Sequence, residues 1–201
     1  MWEIEDKLRR EGFLTICGVD EAGRGPLAGP VFAAAVILPH GAEIAGLDDS
    51  KKLTEKRREE LYKKIIDTAS AYAISSADHK EVDELNILKA TYLAMNRAIA
   101  NLVITPSIAL IDGNRNSGIK FNCKCIVGGD GLSASIAAAS ILAKVSRDRF
   151  MVKIAEKYPE YMFDKHKGYG TKLHYEKLRE YGPSEIHRMS FLKNLLSKHS
   201  M

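Results

Sequence analysis

No apolar run in these 201 residues approaches the roughly 20 residues that a membrane-crossing helix requires. The longest, at 31–38 and 135–143, fall far short. Residues 1–11 alternate charges where a secretory leader would place a basic stretch and then an apolar one, so a cytoplasmic protein is expected. Cysteine is scarce. Cys17, Cys123 and Cys125 are odd in number, match no zinc-ribbon or redox spacing, and read as reduced thiols buried in strands. The six histidines, at 40, 79, 166, 174, 187 and 199, include no His-x-x-x-His pair, which argues against zinc. Repeats, low-complexity tracts and linker-like stretches are also lacking, so one core with a small appendage is the economical organisation.

Charge is present and unevenly placed. Residues 1–143 hold 17 Lys and Arg against 19 Asp and Glu, whereas residues 144–201 hold 13 against 7, so the formal +4 resides in the C-terminal part. Such asymmetry suits a polyanionic partner, although a solvated lysine-rich helix face would look the same.

Hydrophobic patterning alternates strands with helices. Short β-branched runs at 13–20 and 30–38 read as buried strands around a glycine-rich turn at 23–29, and further strands are expected at 71–77, 107–112 and 122–127. Thr54 is placed to cap an amphipathic helix carrying Leu61, Ile65 and Ile66. Helical spacing over 86–102 marks a second helix, and Ser133 precedes a long third one that Pro159 ends. The last 40 or so residues read as short helices, with Thr171 and Ser190 as candidate caps. The fold class is α/β with a basic helical C-terminal extension.

Three of these strands end in acid: Asp20 and Glu21, then Asp112, then Asp130 two glycines past the fifth strand. Ligands of open α/β sheets gather outside the carboxyl ends of strands, so these acids can converge if their strands are neighbours. Carboxylates ~5 Å apart repel by roughly 3 kcal/mol per pair at an effective dielectric of 20, and a divalent cation resolves that conflict. An oxygen-only donor set suits magnesium or manganese. Helix caps, turns or ion pairs would use the same residue types, so spacing alone leaves both uses open.

The segment at 17–31, C-G-V-D-E-A-G-R-G-P-L-A-G-P-V, resembles the signature of bacterial ribonuclease HII. Further matches follow in order: D-S-K-K-L at 49–53, E-L-N-I-L at 84–88, I-D-G at 111–113, G-G-D at 128–130, A-A-A-S-I-L-A-K-V-S-R-D at 137–148 and H-K-G-Y-G-T at 166–171. Seven ordered segments are far more specific than one glycine-rich turn.

The resemblance implies an RNase H-like fold: a mixed five-stranded sheet flanked by helices, with residues 1–147 as catalytic core and 148–201 as a helical extension closing over substrate. It implies hydrolysis of the RNA strand of RNA–DNA hybrids and incision of duplex DNA at embedded ribonucleotides. Two ions of Mg2+ or Mn2+ would be held by the catalytic carboxylates Asp20, Glu21, Asp112 and Asp130. The related ribonuclease HIII family usually carries Glu at the fourth position and a long N-terminal domain, whereas this chain has Asp130 and reaches its first strand by about residue 13.

By the same resemblance Gly23, Arg24 and Gly25 read the ribose 2′-hydroxyl, the group that separates RNA from DNA, and Tyr169 packs on the deoxyribose at the RNA–DNA junction. Lys51, Lys52, Lys144, Arg147, His166 and Lys167 are candidate phosphate contacts. A monomer is expected. Leu192, Leu195 and Leu196 suit a packed terminal helix as well as a docking peptide, so a sliding-clamp interaction has no support in the sequence.

Overall fold

The computed structural model describes residues 1–47 and 53–196, so the D-S-K-K segment with Lys51 and Lys52 lies outside the described residues. Five strands form one sheet: β1 (Ile16–Ala22), β2 (Val31–Ile37), β3 (Ala71–Ala77), β4 (Ile108–Asp112) and β5 (Cys123–Ile126). Their spatial order is β3-β2-β1-β4-β5. The first three strands are antiparallel neighbours, whereas β1–β4 and β4–β5 run parallel. The sheet is thus mixed, and the carboxyl ends of β1, β4 and β5 emerge together.

Alternation along the strands separates two layers of core. Cys17, Val19, Ala33 and Ala35 face helix α4 (Ile87–Ala100), while Ala22, Ala34 and Val36 face α2 (Glu55–Thr68) and α5 (Ala134–Lys157). The 24-residue α5 is about 36 Å long at 1.5 Å per residue. Its N-terminal half is alanine-rich and buried, which lets it lie flat on the sheet. At Gly18 the approach is closest: a Cβ there would stand 2.0 Å from the Ser135 carbonyl carbon, so any side chain would force β1 and α5 apart.

Caps mark the helix starts. Thr54 Oγ1 accepts from the Arg57 N–H at 3.3 Å, and Ser133 Oγ from the Ile136 N–H at 3.2 Å. Two elements went unforeseen. Helix α1 (Glu3–Arg10) packs against the start of α5, where buried Glu5 accepts from Ser133 Oγ at 2.6 Å and from the Ser135 N–H at 3.1 Å. Helix α3 (His79–Leu85) opens with a reciprocal capping box between Asp78 and Glu81.

Beyond the core come α6 (Phe163–His166), α7 (Lys172–Tyr181) and α8 (Met189–Leu196). Helix α5 runs unbroken through Arg147 and so belongs to both core and extension. Thr171 caps α7 as expected, its Oγ1 accepting from His174 N–H at 3.3 Å. Ser190 does not cap α8. It lies inside that helix, and the cap is Asp83 of α3, whose carboxylate accepts from the N–H groups of Met189 at 2.8 Å and Ser190 at 3.0 Å. Among the described residues no helix is long and apolar enough to cross a membrane.

Candidate active site

Asp20 and Glu21 are consecutive residues near the end of β1, so their side chains leave opposite faces of the sheet. Asp20 points toward α5, where the Ser140 side chain hydrogen-bonds to it, and its Oδ1 accepts from the Glu21 N–H at 2.7 Å. Glu21 emerges on the α4 side and is held by Arg24, Nη1 to Oε1 at 3.2 Å. Asp112 ends the neighbouring strand β4, and its Oδ1 accepts from the Gly129 N–H at 2.6 Å, which ties the turn after β5 to the end of β4. Asp130 sits in the 3-10 turn Gly129–Gly131 that leads into α5. All four carboxylates line one open cavity of about 460 Å³.

The electrostatics match this crowding. Burial, then repulsion from Glu21 and Asp112, holds the Asp20 carboxyl well above the usual carboxylate range. Glu21 is also raised, by burial first, with Arg24 opposing and Asp112 adding to the shift. Among the described residues no group of three or more His, Cys, Asp or Glu is already gathered to hold a metal ion. Carboxylate oxygens at Asp20, Glu21 and Asp112 are instead turned to local N–H and guanidinium donors. A cation would have to compete for them. The donor set still fits one: four hard-oxygen side chains on one cavity, of which Asp20, Glu21 and Asp112 repel one another, with no sulfur or imidazole among its lining.

The cavity's other walls include Gly23, Arg24, Gly25, Lys144 and Tyr169, so five of the residues named for substrate stand with the acids. Gly23 has φ +99°, and a Cβ there would lie 2.0 Å from Arg147 Nε, so glycine is required twice over. Gly25 has no atom within 4 Å of its would-be Cβ and leaves open space at the cavity wall. The Arg24 side chain is half exposed and can reach an incoming phosphate. Tyr169 is 39% exposed. Lys144 Nζ and the Arg147 guanidinium lie 5.6 and 5.5 Å from its ring centroid. Lys144 is further oriented by Asp148 at 2.7 Å.

Two of the basic residues read as phosphate contacts are interior. Arg147 is fully buried, donating from Nε to Pro30 O at 3.1 Å and from Nη2 to Ala28 O at 3.2 Å. It braces the turn beneath the cavity. His166 is buried too, with Nε2 on Tyr161 O at 2.9 Å and Nδ1 accepting from the Gly168 N–H at 3.2 Å. Lys167 is partly buried and its ammonium donates to the Asp164 carbonyl within its own turn. Ser140 and Arg58 line the cavity and were not anticipated. Ser140 lies one helical turn before Lys144 on α5, and that spacing was available as a signal.

A mixed sheet of this strand order, with carboxylates at adjacent strand ends opening onto one cavity below a basic helix, defines a nuclease of the RNase H-like class. Solved structures share the fold. Ribonuclease H2 from Pyrococcus horikoshii is 29% identical with a TM-score of 0.73, the match covering 88% of this chain and 93% of that one. The ribonuclease HII in the PCNA complex from Archaeoglobus fulgidus is 27% identical with a TM-score of 0.71, covering 88% and 94%.

Residues 17–194 match the model of the family described as Ribonuclease HII, and the chain belongs to that family. A ribonuclease HII of Caldicellulosiruptor bescii is 60% identical over 196 residues, 98% of this chain and 95% of the relative, and one of Endomicrobium trichonymphae is 56% identical over 192 residues, 95% and 91%. The protein is therefore a ribonuclease H, a hydrolase whose family depends on divalent metal.

Proposed function

We propose that this enzyme hydrolyses the RNA strand of RNA–DNA hybrids and incises duplex DNA on the 5′ side of embedded ribonucleotides, leaving 3′-hydroxyl and 5′-phosphate ends. The observation that carries the reading is the single cavity on which Asp20, Glu21, Asp112 and Asp130 meet the 23–25 turn and Tyr169. The four carboxylates would hold Mg2+ or Mn2+. Bound there, divalent ions supply an activated water and charge relief on the departing 3′-oxygen.

The remaining work belongs to the chain. Arg24 meets the phosphate next to the ribonucleotide, the glycines on either side of it let backbone groups approach the 2′-hydroxyl, and Tyr169 holds the neighbouring sugar. Lys144 lies between Asp148 and the Tyr169 ring and offers its charge to the same backbone. We assign residues 148–201 to a substrate-facing extension on the core 1–147, and the cytoplasm, where such duplexes arise, as the place of action. A clamp is bound by the Archaeoglobus enzyme; here Leu192 is occupied in packing with Leu27 and Leu178.

The test is incision of a DNA duplex carrying one ribonucleotide, with magnesium and manganese compared. One cut 5′ to the ribonucleotide is expected. Cleavage only within runs of several ribonucleotides would overturn the single-site reading, and binding without cleavage in either metal would overturn the enzymatic one.

A further inference from the structure

Arg188 lies in the extension, 159 to 165 residues from the glycine-rich turn in sequence, yet its guanidinium is fully buried beneath that turn. Nη2 donates to the Gly23 carbonyl at 2.7 Å, Nη1 to the Arg24 carbonyl at 2.9 Å and Nε to the Gly29 carbonyl at 2.8 Å. The Phe191 ring lies 5.2 Å from the guanidinium carbon. Among the described residues every hydrogen bond of this cation goes to a backbone carbonyl. The nearby carboxylate of Asp83 is bonded instead to the N–H groups of Met189 and Ser190.

The main chain on both sides of Arg188 is fastened to the same loop. The Arg188 N–H donates to Leu27 O at 2.8 Å and the Gly29 N–H to Ile186 O at 2.9 Å, with a bridge between Ala28 and His187. Arg147 grips the carbonyls on either side of Gly29, those of Ala28 and Pro30, from the α5 side. Two guanidinium groups with no ion-pair partner among the described residues are thus buried under one turn, and burial together with the Arg147 charge pushes the Arg188 pKa down to about 9. Burying such charge is costly, and an apolar residue would fill the space more cheaply. What a guanidinium adds is a rigid planar fork that dictates where carbonyls point.

The direction matters because a trans peptide is planar, with the carbonyl of one residue opposite the N–H of the next. Drawing the Gly23 and Arg24 carbonyls inward turns the N–H groups of Arg24 and Gly25 the other way, toward the cavity those residues line. Two consecutive N–H groups on one side make a nest for an oxygen ligand. We propose that Arg188 is a positioning residue for ribose recognition: by holding two carbonyls down, it presents the following two N–H groups to the sugar and phosphate oxygens of the ribonucleotide. This rests on the ribose-reading role given above to the 23–25 turn.

The experiment uses the full chain in magnesium. It measures kcat and KM for a DNA duplex with one ribonucleotide, and the inhibition constant of the same duplex made entirely of deoxyribonucleotides. Arg188→Lys keeps the charge but loses the fork. It is expected to lower kcat/KM at least tenfold while the all-deoxy inhibition constant stays within about twofold of wild type. Unchanged kcat/KM, or equal losses on both duplexes, overturns the role of Arg188. A wild-type protein that binds the two duplexes equally overturns ribose reading by the turn itself, and this proposal with it. Should the lysine variant fail to fold, Asp83→Asn decides, since it loosens the start of α8 and with it the backbone from which Arg188 reaches the Gly23 and Arg24 carbonyls. A selective loss of two- to threefold supports the proposal, and no selective loss overturns it.

Discussion

His174 and His187 face each other through their Nε2 atoms at 2.9 Å, and backbone partners on either side fix which of them carries the proton. The Ser184 N–H donates to His187 Nδ1 at 2.8 Å, so His187 is protonated at Nε2 and donates to His174. His174 is then protonated at Nδ1 and donates to the Tyr169 carbonyl at 2.9 Å. A directed chain of hydrogen bonds between neutral rings thereby runs from the start of the α8 segment to the residue that borders the active-site cavity.

Protonating either ring breaks this chain. Burial, then repulsion from a neighbouring histidine, lowers both His174 and His187 from 6.5 to about 4. The unfolded chain therefore binds more protons than the folded one between these values, so stability is full above about pH 6.5 and is lost as pH falls toward 4. After allowance for solvent access the pair is expected to contribute about 2–3 kcal/mol, or roughly 5–10 °C in Tm. Asp20 and Glu21, with raised pKa values, take up protons in the opposite sense, so the cleaner comparison is in Asp20→Asn protein. A Tm that stays flat from pH 7 to 4.5 in that background would contradict the assignment.

Asp20→Asn itself is expected to abolish cleavage without loss of fold. The carboxylate is buried and held above its ordinary pKa by burial and two acidic neighbours, so its ionised form opposes folding at neutral pH. Asn keeps an oxygen to accept from the Glu21 N–H. A Tm equal to or above wild type is expected for the metal-free protein, together with a loss of at least a hundredfold in turnover. Near-normal turnover at saturating magnesium would remove Asp20 from the metal set.

Salt dependence separates the lysines. Lys144 stands at the cavity wall, whereas the Lys167 ammonium is committed to the Asp164 carbonyl. Lys144→Gln should make the dependence of log binding constant on log salt shallower by about 0.9, the value for one duplex phosphate contact, and Lys167→Gln should leave it unchanged. A hybrid-duplex titration from low to high salt reads both, and the reverse result would return Lys167 to the phosphate-contact reading.

The N-terminal helix offers a stability test away from the chemistry. Buried Glu5 satisfies Ser133 Oγ and the Ser135 N–H where α5 begins, three residues past Asp130. Its negative charge also meets the positive end of the α5 dipole. Glu5→Ala should cost about 2 kcal/mol, and Glu5→Gln about half as much because one oxygen remains to accept. Denaturant titration measures this directly. Equal stability of all three proteins would show that the cap is dispensable.

How far the sequence reveals this arrangement depends on the distance over which each residue acts. Asp20, Asp112 and Asp130 are legible because they close apolar runs, and the strand pattern puts such positions at one end of a sheet. Thr54, Ser133 and Thr171 are legible because a cap acts within its own turn. Asp83 caps α8 from more than 100 residues away, so Ser190, the local candidate, looked like the cap. Arg188 and Glu5 are hidden for the same reason. Arg147 is a different case: it shares the i, i+4, i+8 face of α5 with Ala143 and Met151, both buried, so its burial was legible and its positive charge obscured it.

Tyr169→Ala is expected to damage catalysis at a single embedded ribonucleotide more than it damages binding, and to damage uniform hybrids less. The residue is held at both ends. Its N–H donates to His166 O at 2.9 Å, its carbonyl accepts from Thr171 N–H at 2.8 Å and from His174, and the adjacent Gly168 carbonyl accepts from Leu27 N–H at 2.8 Å. The ring therefore projects from a fixed backbone into the cavity, backed by Arg147 and flanked by Lys144. A rigid plate so placed can align a sugar, and misplacement by about 1 Å can cost on the order of a hundredfold in rate. An isolated ribonucleotide offers one phosphate in register, whereas a hybrid offers many and can find a usable register without the ring. Tyr169→Phe should stay near wild type, because the flat face does the aligning. Single-turnover rates and dissociation constants for both substrates with each variant decide the matter: equal rate losses on the two substrates, or a loss confined to affinity, would reject junction alignment by Tyr169.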